Sequence, residues 1–245
     1  MEITSVNNDL VKGTAKLLQR KFRDESGLFL LEGDKCIEEA IASGIEIERV
    51  FIQEGHKAFE GVENIETTEA VLKKISSTES APKAVAVAKQ IKREWDSKYN
   101  KVILLENIKD AGNLGTILRT SAAFGADAIV LYGDTVDLYN PKCVRSSVGN
   151  LWKVPVYELN NDNSLKEKFE NFERVATLPK SDNTVWLKNY TPKEKVLIMF
   201  GSEANGLSDR LKDFATKNVT IEMSDNVESL NLSISVGVFL YSIIN

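Results

Sequence analysis

Three stretches of this chain carry side chains that could do polar chemistry without a metal. In ENIKDAGNLGTILRTSAAFG, residues 106–125, a strand leads through a glycine-containing loop into a helix. Asn113 stands at the expected helix cap, and Arg119 follows inside the helix among Leu, Ile, Ala and Phe. An arginine in apolar company must pair with an acid or reach solvent. A structural ion pair meets that need, and so does a guanidinium aimed at a phosphate or a developing oxyanion. In VLIMFGSEANGLS, residues 196–208, a buried strand ends at Gly201 and is followed by Glu203 and Gly206. Ligands of parallel α/β sheets sit at the carboxyl ends of strands, and a glycine there lets a ligand approach the backbone. Glu203 alone could be a carboxylate at a helix N-terminus. In VTIEMSDNVESLNLSISVGVFL, residues 219–240, Ser229 and Asn231 open a final apolar helix that also carries Ser233 and Ser235. Capping and close helix packing would account for that stretch taken singly.

Composition narrows the chemistry further. The single histidine, His56, and two distant cysteines, Cys36 and Cys143, argue against a zinc site, so no metal is expected. A Ser–His–Asp arrangement would have to use His56, in the polar stretch QEGHKAF. Gly112-Asn113-Leu114-Gly115 lacks the third glycine of a dinucleotide fingerprint, and no Lys-Ser/Thr pair makes it a P-loop. That disfavours a dehydrogenase. No apolar run is long enough to span a bilayer, the start does not read as a signal peptide, and the cysteines suit reduced thiols. No membrane association and a cytoplasmic location are therefore expected. Net charge is −5, a poor match to nucleic acid in bulk. Yet Lys12, Lys16, Arg20, Lys21 and Arg23 occur in a stretch without acids.

These residues need elements to position them. Asn7, Asn8 and Asp9 can cap a helix in which Val11, Ala15, Leu18 and Phe22 form an apolar stripe beside the basic one. The basic face is either a solvated surface or a phosphate-binding one. GLFLLEG, residues 48–52 and 84–88 read as strands, and 34–42 as a helix stopped by Gly44. They suggest a small α/β unit over residues 1–95, with a charged linker, KQIKREWDSKYNK, at its end. From 96 to 245 stronger strands at 102–106, 128–132, 154–158, 174–178 and 196–200 alternate with helices, notably 115–124 and 231–244. That is the pattern of a parallel sheet covered on both faces.

In order and spacing, Asn113…Arg119, Gly201-x-Glu203-x-x-Gly206-Leu207 and Ser229-Leu230-Asn231-Leu232-Ser233 resemble the SpoU (TrmH-type) RNA ribose methyltransferases. Asn140-Pro141 through Arg145, Ser147 and Gly149 resembles the family's connecting helix, and FLLEGDKCIEEAI resembles its N-terminal substrate-binding domain. The resemblance implies an α/β SPOUT domain with a C-terminal trefoil knot, preceded by a small α/β RNA-binding domain. It implies S-adenosylmethionine as cofactor, held by Thr177, Leu178, Gly201, Ile221 and Leu230, and a homodimer. Transfer to a ribose 2′-hydroxyl would rest on Asn113, Arg119, Glu203, Ser229 and Asn231. Because a guanidinium does not give up its proton, Arg119 is expected to stabilise the developing alkoxide rather than act as base. Lys12, Lys16, Arg20, Lys21, Arg23 and Arg145 become the expected RNA contacts. A separate N-terminal domain favours ribosomal RNA over tRNA as substrate. The alternatives are a tRNA 2′-O-methyltransferase and a non-catalytic RNA-binding assembly factor. Ile221-Glu222-Met223-Ser224-Asp225 departs from the family's proline- and glycine-containing cofactor loop.

Overall fold

The structure, a computed structural model, describes residues 1–224 and 226–244. Asp225, one of the departures noted above, lies outside the described residues. Two compact units emerge, residues 1–92 with 137–152, and residues 93–136 with 153–245. The second therefore interrupts the first in sequence. A single cut at 95/96, as expected from the linker, differs from this by leaving out the 137–152 segment.

The first unit contains β1 (Glu2–Ile3), α1 (Asp9–Lys16), α2 (Arg20–Ser26), β2 (Leu28–Glu32), α3 (Asp34–Ala42), β3 (Ile47–Gln53), β4 (Asn64–Thr67), α4 (Glu69–Ile75) and β5 (Ala84–Lys89). Its five strands run in the order β1-β4-β3-β5-β2. The pairs β3–β5 and β2–β5 are antiparallel, whereas β1–β4 and β3–β4 are parallel. Val11, Leu17, Leu30, Phe51, Ile65, Leu72 and Val85 belong to one buried cluster. Burying each such side chain is worth roughly 1.5–3 kcal/mol.

The expected single basic helix is two. Asn8 caps α1, its side chain accepting the Leu10 N–H at 2.9 Å. The chain then leaves the helix, and Gln19 is extended at φ −102° before α2 begins. The break points Leu17 into the core, and Gly27, in the left-handed region at φ 67°, ends α2.

The second unit contains β6 (Lys101–Glu106), α5 (Ala111–Ala123) and β7 (Ala128–Tyr132). After α6 (Pro141–Ser147), which belongs to the first unit, come β8 (Val156–Leu159), α7 (Asp162–Phe169), β9 (Glu173–Thr177), β10 (Val185–Trp186) and a 3₁₀ turn (Leu187–Asn189). The unit closes with β11 (Val196–Phe200), α8 (Asp209–Phe214), β12 (Lys217–Thr220) and α9 (Leu232–Ile244). Its seven strands are ordered β10-β12-β9-β11-β6-β7-β8, and every adjacent pair is parallel. VILLE, AIVLY and VLIMF are buried throughout, as strands covered on both faces require. The chain moves outward from β6 to β8, then returns to the other side of β6 with β9 and β11. Direction reverses at that point, where open α/β sheets bind ligands outside the strand ends.

Candidate active site

The site grows from the carboxyl ends of β6, β9, β11 and β12. At the end of β6 stands Glu106, 2% exposed, whose Oε2 accepts the backbone N–H of Ser208 at 2.7 Å. That bond ties the start of the first motif to the end of the 201–208 loop. Asn107 follows in the left-handed region at φ 55°, a conformation asparagine tolerates, and its Oδ1 accepts the Asp134 N–H at 2.9 Å. Asp110, not Asn113, caps α5, accepting the Asn113 N–H at 2.8 Å. The expected cap at Asn113 is corrected accordingly, and the correction matters. As the third residue of the helix, Asn113 has a side chain free to point elsewhere.

That side chain joins the three motifs. Asn113 Nδ2 donates to Glu203 Oε1, and Asn113 Oδ1 accepts from Asn231 Nδ2 at 3.0 Å. Asn231 Oδ1 accepts the Ser233 N–H at 2.9 Å and the Ser233 hydroxyl at 2.6 Å. The direction of this chain is dictated at one end. An ionised carboxylate only accepts, so the Asn113 amide turns its NH₂ to Glu203 and its oxygen to Asn231. Asn231 must then give its NH₂ to Asn113, leaving its own oxygen to cap α9. Because Glu203 and Asn231 are exposed, these bonds add little to stability. What they do is fix the relative positions of three loops. Glu203 is not a helix-terminal carboxylate, since Ser208 caps α8.

Beside the chain lies a cavity of about 430 Å³, within the ~300–1,000 Å³ range of small-ligand sites. Thr177 and Leu178 line it at the end of β9, Gly201 and Glu203 after β11, and Ile221 after β12. Ser229, Leu230 and Asn231 close it. All five residues expected to hold a cofactor face this one cavity. Leu178, Ile221, Leu230 and Phe239 give it apolar walls, and Glu228, Ser229 and Asn231 give it polar groups. That donor set fits a nucleoside-sized ligand with one flat apolar part and one charged part. The 201–206 loop is folded tightly against itself, with Ser202 bridged to Gly206 and the Gly206 N–H on Ser202 O at 2.9 Å. A Cβ on Gly201 would meet the Gly206 carbonyl carbon at 1.9 Å and the Leu207 nitrogen at 2.1 Å. Glycine is needed there for space.

Other expected residues fall elsewhere. Arg119 is exposed on α5, and among the described residues it makes no hydrogen bond or ion pair. Its guanidinium reaches solvent and stands outside the hydrogen-bonded chain. Ser229 lines the cavity without joining that chain. Among the described residues, no group of three or more His, Cys, Asp or Glu is placed to hold a metal. Among the described residues, no helix is long and apolar enough to cross a membrane. In the sequence Glu106 reads only as the end of a strand. Its signal was a carboxylate closing an otherwise apolar run.

In the first unit, Lys12, Lys16, Arg20 and Lys21 are exposed. Lys12, Arg20 and Lys21 have acidic neighbours on their own helices, Asp9 at 3.7 Å, Asp24 at 3.5 Å and Glu25 at 3.9 Å. Such exposed pairs are worth at most about 1 kcal/mol and yield readily to a phosphate. Arg23 is a correction. It is 2% exposed and cannot reach RNA. Its Nε donates to Asp137 Oδ2 at 2.8 Å, its Nη2 donates to the same oxygen, and its Nη1 donates to Leu17 O at 2.7 Å. Arg145 is held as well, donating to Glu32 Oε2 at 3.0 Å and to Ser77 Oγ. His56, in the first unit, lies 3.0 Å from Asp34.

Residues 100–241 match the model of the SpoU rRNA Methylase family, and residues 8–86 match the MRM3-like substrate binding domain. An uncharacterized tRNA/rRNA methyltransferase of Synechocystis is 35% identical over 98% of this chain and 92% of the relative. The 23S rRNA (guanosine(2553)-2′-O)-methyltransferase of Bacillus subtilis is 27% identical over 98% of each. Among solved structures, an AdoMet-bound rRNA methyltransferase from Sinorhizobium meliloti superposes with a TM-score of 0.87 at 26% identity, covering 99% of this chain and 96% of its own.

Proposed function

The chain belongs to the SpoU rRNA methylase family, and from that premise we propose that it transfers a methyl group from S-adenosylmethionine to a ribose 2′-hydroxyl of ribosomal RNA. The observation that carries this is the hydrogen-bonded chain Glu203–Asn113–Asn231–Ser233 at the mouth of the cavity. The relative named for 23S rRNA supports the substrate class, and the AdoMet-bound neighbour supports the cofactor.

When bound, S-adenosylmethionine supplies a methyl group already made electrophilic by its sulfonium. The protein must therefore deal with the alcohol. Leu178, Ile221 and Leu230 would hold the flat apolar part, and the glycine cradle at Gly201 would leave backbone polar groups facing the ligand. Asn113 and Asn231 fix the mouth so that the ribose oxygen is presented from one side. Orientation of this kind can lower a barrier by as much as ~7–11 kcal/mol. Arg119, exposed and without a partner among the described residues, places a permanent cation where a neighbouring phosphate and the ionising hydroxyl can meet it. Ser229 would bind at the polar end of the cavity.

In this proposal residues 1–95 choose the RNA through Lys12, Lys16, Arg20 and Lys21, and residues 96–245 carry out transfer. The loops after β9, β11 and β12 are those through which the C-terminal segment would thread a trefoil knot. The chain works as a homodimer in the cytoplasm. Ile234, Val238 and Tyr241 support that state, being exposed at helical spacing along α9, at 53, 36 and 61%. The test is transfer of labelled methyl from S-adenosylmethionine to unmodified total ribosomal RNA and, separately, to total tRNA. Label in the ribosomal pool, lost by about 10²-fold or more in Arg119→Ala with cofactor affinity unchanged, is the expected result. Label in tRNA alone overturns the substrate class, and full activity of Arg119→Ala overturns the assigned role.

A further inference from the structure

A second cavity, of about 330 Å³, lies within the first unit between α1, α2 and the sheet. Its floor is apolar, formed by Leu17, Leu28 and Val87. The half-buried ring of Phe22 makes one wall. Lys16 Nζ stands 5.4 Å and Lys21 Nζ 5.9 Å from the centroid of that ring. Arg49 also lines the cavity, with its Nη2 3.1 Å from Glu48 Oε2, a pair that a phosphate would have to compete with. Lys16 has no acidic partner among the described residues, whereas the acids at the rim, Asp9 and Glu25, each have a lysine beside them.

We propose that this cavity takes a single unstacked nucleobase of the RNA substrate, seated against Phe22, with its flanking phosphates met by Lys16 and Arg49. The proposal rests on RNA being the substrate. Three features point to a base. The space is too small for a helix or strand and suits a flat ring. An aromatic wall is a stacking platform that accepts any base. The lysine ammoniums stand over that ring, and a base stacking there displaces one of them toward its own phosphate, the pairing of aromatic platform and cation with which proteins hold splayed-out bases. The unit that carries the cavity is matched over residues 8–86 by a substrate-binding domain model. Gly13 lines the cavity and has nothing within 4 Å of where its Cβ would stand. The groove is therefore open on the α1 side.

The experiment uses the full chain, a fluorescein-labelled 12-nucleotide single-stranded RNA of mixed sequence, and the same strand with abasic riboses. Anisotropy is read over a range of salt. The wild type is expected to bind the base-containing strand about tenfold or more tightly than the abasic one, the gain of one stacked base. Phe22→Ala and Gly13→Leu should abolish that preference, and Phe22→Trp should keep it. Gly13→Leu guards against unfolding, because leucine is the better helix former and the ring stays in place. Lys16→Ala should lower the salt slope by about one. A wild type without preference for bases, or a Gly13→Leu protein that retains it, overturns the proposal. The same preparations are assayed for methyl transfer to ribosomal RNA. Base-dependent binding without transfer leaves the pocket standing and removes the enzymatic reading; transfer without base-dependent binding does the reverse.

Discussion

Replacing Gly201 by alanine is the smallest change that should disable the proposed cofactor cavity. The added methyl would lie 1.9 Å from the Gly206 carbonyl carbon and 2.1 Å from its oxygen. Both are backbone atoms, so no side chain can swing aside. To restore ordinary contact the loop must retreat by about 1.5 Å or more. The retreat moves Glu203, which lies in the same loop and holds Asn113. It also narrows a cavity lined by Gly201, Glu203 and Gly206 together. A misplacement of this size costs about 10²-fold in a positioned site. Gly206→Ala is the control. Gly206 sits at φ 64° but has open space around its Cβ position, so alanine there brings about 1–2 kcal/mol of backbone strain and no collision. Calorimetric titration with S-adenosylmethionine, alongside circular dichroism to verify folding, separates the two. The expectation is an affinity loss of about 10²-fold or more for Gly201→Ala and a clearly smaller one for Gly206→Ala. A folded Gly201→Ala protein that binds within a few-fold of wild type would refute the close-approach argument.

Further expectations concern residues away from the cavity. Arg23→Met strands Asp137, which is 7% exposed, and should cost about 3–5 kcal/mol in urea unfolding. Adding Asp137→Asn should recover part of that loss, since its amide oxygen still accepts the Tyr139 N–H now held at 2.8 Å. Glu106→Ala leaves the Ser208 N–H without its acceptor, with an expected cost of about 1–3 kcal/mol in thermal unfolding. Transfer should fall as well because the Glu203 loop loosens, and Glu106→Gln, which keeps an acceptor, should restore both. The Cys36 thiol is pushed up to about 12, first by burial and then by Glu32 and Glu39. At pH 9–10 iodoacetamide should therefore alkylate the native protein far more slowly than the unfolded chain. In the folded state the proton is retained, while the unfolded thiol loses it near its ordinary value of 9.0, so this group's contribution to stability is intact below pH 9 and drains away as pH rises toward 12. Cys36→Ala should flatten that part of the stability profile.

The parts of the fold that could be read in advance are those where one signal dominates. VILLE, AIVLY and VLIMF are unbroken apolar runs because both faces of the central sheet are covered. Polar or very short strands escaped the same rule. NIET and KNVT hold only four residues each, and although each pairs on both sides, their Asn, Glu, Lys and Thr residues leave no apolar run to read. The basic stripe on α1 and α2 looked continuous because helical periodicity is blind to a local break, here at Gln19. Arg23 was indistinguishable from its exposed neighbours, since the acid that claims it is 114 positions away in sequence. At the site, Asn113, Glu203 and Asn231 stood out by type and spacing, and the structure brings them into one chain of hydrogen bonds. Which of them capped a helix was ambiguous, because Asp110 and Asn113 are both good caps and only the backbone decides between them.

The most direct test of the central claim is alkaline hydrolysis of ribosomal RNA labelled by this protein from methyl-tritiated S-adenosylmethionine. Alkali cleaves RNA through a free 2′-hydroxyl, so a methyl on that oxygen protects the adjacent phosphodiester. The account predicts that the label is recovered in an alkali-resistant dinucleotide. Label recovered in mononucleotides would place the methyl on a base and contradict it.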